Sequence, residues 1–228
     1  KRQANSGEYI QWHSTNIQYL KGWDYELGEK QRSIITFEHA NGWKYGDFYM
    51  FVDTTSPENA SKRNIYAEFS PRFSLSKITG KDFSNKFIKD ILISTTLEKV
   101  KNTGTHYLYG GAVDLKIPGF KFFKSNFYIR DDSEIAGETW QITLSWNYPF
   151  EIADFKFLFE GFADIVGGEG NKTENQIFVP RFLLDVGHLL DKQENKLWAG
   201  VELQSWHNKF GIDGKSETVP QLQVKYIF

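Results

Sequence analysis

The strongest constraint on this chain is a period-two alternation of apolar and polar residues that recurs along its length. Between Thr139 and Tyr148, the residues Trp140, Ile142, Leu144, Trp146 and Tyr148 share one face, and Gln141, Thr143, Ser145 and Asn147 share the other. A strand sends successive side chains to opposite faces, whereas a helix would scatter this pattern around its axis. The last run repeats it, with Leu222, Val224, Tyr226 and Phe228 against Gln221, Gln223 and Lys225. Phe155, Phe157 and Phe159 oppose Lys156 and Glu160. Ile65, Ala67, Phe69, Phe73 and Leu75 oppose Asn64, Glu68, Ser70, Arg72 and Ser74. Twelve such runs are predicted as strands, at 8–20, 32–41, 45–54, 63–75, 87–99, 104–116, 122–131, 139–149, 154–166, 174–187, 195–207 and 216–228.

Alternation alone does not say which face is buried. A soluble β-sandwich or lipocalin-like barrel alternates as well, with its apolar face inward. Aromatic residues are 17% of the chain, with 20 Phe, 11 Tyr and 7 Trp, yet the mean hydropathy is -0.49. A membrane barrel reconciles the two, because an apolar outer face and a polar lumen average to a modest value. Trp140, Trp146 and Tyr148 suit the aromatic girdles at membrane interfaces. No run reaches the roughly 20 apolar residues that a transmembrane helix needs. No signal-peptide core is visible, so Lys1 is expected to begin a processed chain. The formal charge of -2 leaves no basic footprint for nucleic acid, and the absence of cysteine excludes disulfides.

The expected fold is all-β: one domain over residues 1–228, a closed antiparallel transmembrane barrel of twelve strands. An even strand number puts both termini on one side, expected to be periplasmic. Asn41-Gly42-Trp43-Lys44 is then a tight periplasmic turn, and 76–86 is a long periplasmic connection with room for a helical turn. The stretches 21–31, 55–62, 132–138, 167–173 and 208–215 fall outside the cell. Pro71, Pro180 and Pro220 lie within strands, and a closed barrel has no free edge to host them. Each is expected to mark a bulge or a break in pairing.

Several segments resemble the Tsx family of nucleoside-specific channel-forming outer-membrane proteins. The most specific is Phe69-Ser70-Pro71-Arg72-Phe73-Ser74-Leu75-Ser76-Lys77-Ile78-Thr79. Trp12-His13-Ser14, Phe37-Glu38-His39-Ala40 and the run from Tyr45 to Asp53 are similar to the family's first strands. Gly110-Gly111-Ala112-Val113-Asp114-Leu115 and Phe159-Glu160-Gly161-Phe162-Ala163-Asp164 follow in family order. The resemblance implies a monomeric twelve-stranded barrel in the bacterial outer membrane that lets nucleosides diffuse passively. It makes Pro71 a bulge near the periplasmic rim, and it implies that the C-terminal Phe228 is read by the barrel-assembly machinery. The outer loops look shorter than the family's, which bears on receptor roles that depend on loops.

Alternation selects the side chains expected to face the lumen. These are Glu38, Asp47, Tyr49, Asp53, Tyr66, Glu68, Arg72, Asp114, Arg130, Glu160, Asp164, Arg181, Asp185, Trp198 and Glu202, with Phe51, Tyr128 and Trp206 as further aromatic candidates. Rings stack on a nucleoside base, and carboxylates and arginines hydrogen-bond its ribose and base edges. Two bland readings compete. Arg181 and Asp185 on one strand could simply neutralise each other, and Trp198 and Trp206 could face lipid if the strand phase is shifted. His13-Ser14 invites a lipid-hydrolase reading, but no matching base, orienting group and oxyanion hole are visible. A plugged barrel acting in binding or adhesion is the remaining alternative. The five histidines show no metal-ligand spacing, Gly167-Gly168-Glu169-Gly170 reads as a loop, and no cofactor is expected.

Overall fold

A computed structural model describes residues 9–59, 61–101 and 103–228. Twelve antiparallel strands form one closed barrel. They are β1 (Ile10–Trp23), β2 (Gln31–Trp43), β3 (Gly46–Thr55), β4 (Asn64–Ser74), β5 (Ile88–Val100), β6 (Thr105–Leu115), β7 (Phe122–Asp132), β8 (Thr139–Ile152), β9 (Phe155–Val166), β10 (Asn175–Asp185), β11 (Leu197–His207) and β12 (Glu217–Ile227). Each strand pairs with its sequence neighbours, and β12 closes on β1 in register from Asn16↔Ile227 to Gly22↔Gln221. The Phe228 amide extends this seam by donating to the Thr15 carbonyl at 3.0 Å.

The alternation turns the barrel inside out relative to a soluble one. Gln18, Glu38, Arg72, Asp114, Gln221 and Lys225 are buried within it, while Tyr19, Phe37, Phe69, Ile93, Phe127, Phe182, Leu222 and Val224 are exposed outside. An apolar belt around a polar interior is stable in lipid, and closure leaves no strand edge with unpaired backbone groups there. A lipocalin-like arrangement would reverse both faces. Close approach of strands also fixes some sequence positions. A Cβ at Gly110 would collide with the Phe127 carbonyl oxygen, and one at Gly161 with the Val179 carbonyl oxygen and the Trp146 ring.

Ile10 and Ile227 lie at one end of the barrel, here called the termini end, with the Lys44-Tyr45 and Ala153-Asp154 turns. The helical turns α1 (Leu75–Thr79) and α2 (Val186–Leu189) lie there too. The described residues of the segments 24–30, 56–59, 61–63, 101, 103–104, 133–138, 167–174 and 208–216 lie at the other, loop end.

Several expected boundaries move. Glu8, the expected start of the first strand, lies outside the described residues, and Lys21–Trp23 continue β1 rather than open a loop. Asn41, Gly42 and Trp43 belong to β2, so the turn is Lys44-Tyr45. Leu75 opens α1 because the Ser74 hydroxyl accepts from the Lys77 amide. β10 stops at Asp185, whose carboxylate caps α2 by accepting from the His188 amide. Trp146 sits on the outer face but in mid-strand, covered by Phe159 and Phe178, so it is no girdle residue.

The prolines break pairing without bulging. Pro71 pairs with Phe48 on β3, but on the β5 side the ladder skips from Phe69↔Leu97 to Arg72↔Ser94 with its register kept. The expected Pro71 bulge is therefore absent. The Pro71 carbonyl instead accepts from the Thr95 hydroxyl at 3.1 Å. Pro180 does the same between Phe178↔Ser205 and Arg181↔Glu202, and Pro220 falls where the β1 pairing ends. Register shifts occur instead at Ile10/Trp12 and at Ile88/Asp90, both toward the termini end.

Candidate functional site: the barrel lumen

Inward side chains line a cavity of about 2470 Å³ that reaches from Gln11, Lys77 and Lys121 at the termini end to Tyr25, Glu29 and Lys62 at the loop end. Three ion-pair clusters are fixed to its wall. In the first, Arg181 on β10 donates to Glu202 on β11 at 2.6 Å and reaches Glu38 on β2 at 3.2 Å. Lys225 on β12 donates to Glu160 on β9 at 2.5 Å. Asn16 and Asn147 donate to Glu38 and Glu160 at 3.0 and 2.9 Å.

The second cluster centres on Arg72. Its guanidinium donates to both Asp47 oxygens at 2.8 and 2.6 Å and to both Asp114 oxygens at 2.9 and 3.1 Å. Lys124 adds a bond to Asp47 at 3.0 Å. The third lies nearer the loop end. Arg130 donates to Glu98 and Gln141 at 3.0 and 2.7 Å, and His106 contacts Glu98 at 2.9 Å and Asp132 at 3.2 Å. Arg72 grips each aspartate, and Arg130 grips Glu98, through paired bonds, a geometry that holds them firmly.

Three acids stand apart. Asp53 accepts from the Thr36 hydroxyl at 2.5 Å, Glu68 from the Tyr66 hydroxyl at 2.6 Å and Asp164 from the Thr143 hydroxyl at 2.6 Å. Among the described residues, none of the three has a cationic side chain in ion-pair contact, so each keeps acceptor capacity for a solute. Asp53 and Glu68 flank a short aromatic series on β3 and β4. Tyr49 lies 5.9 Å from Phe51, and Phe51 lies 5.6 Å from Tyr66, centroid to centroid. The Tyr49 hydroxyl donates to Glu38 at 3.1 Å, which ties this series to the first cluster.

Of the fifteen side chains selected from sequence, all but Asp185 line the cavity. Asp185 is wholly buried and is spent on the amides of His188 and Asn195, at 3.0 and 2.6 Å. It therefore makes no pair with Arg181, whose partners are Glu202 and Glu38. Phe51, Tyr128, Trp198 and Trp206 also point inward, and Trp198 packs with Leu158, Leu183 and Ile227 in a small apolar patch. Sequence reasoning passed over Glu98, Lys124, His106 and Lys225. Lys225 lay on the polar face of an already recognised run, while Glu98 is followed by Lys99, so charge alone did not show which of the two points inward. His13 stacks on His39 with ring centroids 6.5 Å apart, and among the described residues it makes no hydrogen bond to Ser14.

Known proteins agree with this architecture. The family model described as nucleoside-specific channel-forming protein, Tsx, matches residues 7–228. Outer membrane protein OmpK of Vibrio parahaemolyticus is 26% identical over 109 residues, which cover 46% of this chain and 41% of that protein. The matched part thus spans less than half of that relative. A solved KdgM porin in complex with disordered oligogalacturonate superposes with a TM-score of 0.54 at 10% identity, covering 93% of this chain and 99% of that one. The inside-out barrel is thus a bacterial outer-membrane barrel, and the match over nearly its whole length makes the chain a member of the Tsx family of nucleoside-specific channel-forming proteins.

Proposed function

We propose that this barrel is a passive outer-membrane channel for nucleosides, which pass through several weak sites in series. The observation that carries this reading is the Tyr49–Phe51–Tyr66 series beside the cation-free acceptors Asp53 and Glu68. A flat base stacks on rings at about 1–3 kcal/mol each. Ribose hydroxyls donate to carboxylates that no arginine already occupies. Weak, repeated contacts suit a channel, since conduction requires exit as well as entry. On this reading the loop end faces outward, the termini end is periplasmic, the belt faces outer-membrane lipid and the barrel works as a monomer. No cofactor takes part.

The test is swelling of liposomes that hold the purified barrel, with nucleosides, ribose, free bases and nucleoside monophosphates as solutes. Nucleosides should enter faster than ribose despite their larger size. Monophosphates should lag, because the Asp53, Glu68 and Asp164 positions offer a phosphate no cation in ion-pair contact. Equal rates for ribose and nucleosides would defeat the proposal, as would submicromolar nucleoside binding. Tyr66→Ala should raise the half-saturating nucleoside concentration roughly fivefold or more, the value for about 1 kcal/mol of lost stacking, and leave ribose entry unchanged.

Recognition by the barrel-assembly machinery belongs to the same proposal. The Phe228 ring is exposed and packs edge-on against Tyr226 at 5.6 Å. Phe228→Ala should lower the outer-membrane yield and leave transport per folded molecule unchanged.

A further inference from the structure

At the loop end, Trp206 of β11 and Lys209 and Phe210 of segment 208–216 line the cavity. Lys209 is almost completely buried. Its ammonium lies 5.7 Å from the Tyr25 ring centroid, 5.7 Å from that of Trp206 and 5.2 Å from that of Phe210, and it pairs with Glu217. An ammonium withdrawn from water is tolerated only where rings and a counter-ion replace its hydration. The same groups tie neighbouring loops together. Glu217 also accepts from the Glu26 amide at 2.6 Å. Tyr25 donates to Gln221 at 2.7 Å, and Arg32 lies 4.1 Å over its ring. Burial pushes the Tyr25 phenol up to about 12, so it remains a donor. The Asn208 amide donates to the Glu174 carbonyl at 3.1 Å, and Thr173 donates to Gly211 at 3.0 Å. Segment 208–216 thus meets segment 24–30 through Lys209 and its partner Glu217, and segment 167–174 through Asn208 and Gly211.

We propose that Lys209 is a positioning residue that pins segment 208–216 across the outer mouth and thereby sets the largest solute that enters. This rests on the channel reading above. Lys209 need not touch a solute; it acts through the loop it holds. Methionine at this position keeps the stem among the rings but removes the charge, and arginine keeps the charge.

Two measurements test it. The chain has no cysteine, so Asp213→Cys in the exposed part of the segment accepts a single spin label. The label should report a restrained loop in the parent and in Lys209→Arg, and a markedly narrowed, mobile spectrum in Lys209→Met. In liposome swelling, Lys209→Met should raise entry of a trisaccharide severalfold relative to adenosine, and Lys209→Arg should restore the parent ratio. Unchanged label mobility in Lys209→Met would overturn the pin. A mobile loop with an unchanged trisaccharide-to-adenosine ratio would overturn the size cutoff. Failure of every variant to admit adenosine would overturn the channel reading and the cutoff with it, while the label alone still decides whether the lysine holds the loop.

Discussion

Two kinds of inward charge coexist in this barrel, and they separate stability from transport. Arg72 is nearly fully buried and satisfies Asp47 and Asp114 together. Removing it would leave two carboxylates without their main counter-charge. Breaking such a buried network costs about 3–5 kcal/mol. Arg72→Met should therefore lower the urea midpoint of the detergent-refolded barrel, and adding Asp47→Asn should recover part of the loss. An unchanged midpoint would show that Arg72 holds nothing together. Asp53 and Glu68 lean only on neutral hydroxyls. Asp53→Asn should barely move that midpoint but slow nucleoside entry. The inward direction of these residues was legible from alternation; their partners were not. Arg181 meets Glu38 across the β10-to-β2 arc, and Lys124 meets Asp47 across the β7-to-β3 arc. Such pairings depend on strand stagger and barrel radius, which no single run of residues encodes.

At the level of elements, alternation carried the whole strand inventory, because one face of each strand meets lipid and the other a polar interior. Strand ends were harder, since capping decides them. Ser74 and Asp185 each stop a strand by accepting the amide of a following helical turn. A helical turn in 76–86 was already expected, and an N-cap reading of Asp185 would have found the second turn as well. Pro71 and Pro180 show that a closed barrel hosts a missing donor by skipping rungs while keeping register. Glycine matters where strands approach. Gly110 and Gly161 lie in the family-like motifs, and a methyl at either meets a neighbouring carbonyl. Gly110→Ala and Gly161→Ala should each reduce folded, heat-modifiable barrel on gels, and equal folding would show that the strands can part there without cost.

For the molecule as a whole, an apolar belt, a polar lumen and a closed sheet establish an outer-membrane barrel of the Tsx family. That architecture does not by itself choose a solute; the solute reading rests on the aromatic series and its cation-free acids. Single-channel current across a planar bilayer tests it most directly. Discrete small steps are expected, with an amplitude or open time that falls saturably as adenosine is added and does not respond to ribose at the same concentration. A barrel that conducts no current, or one whose current is indifferent to adenosine, would contradict it.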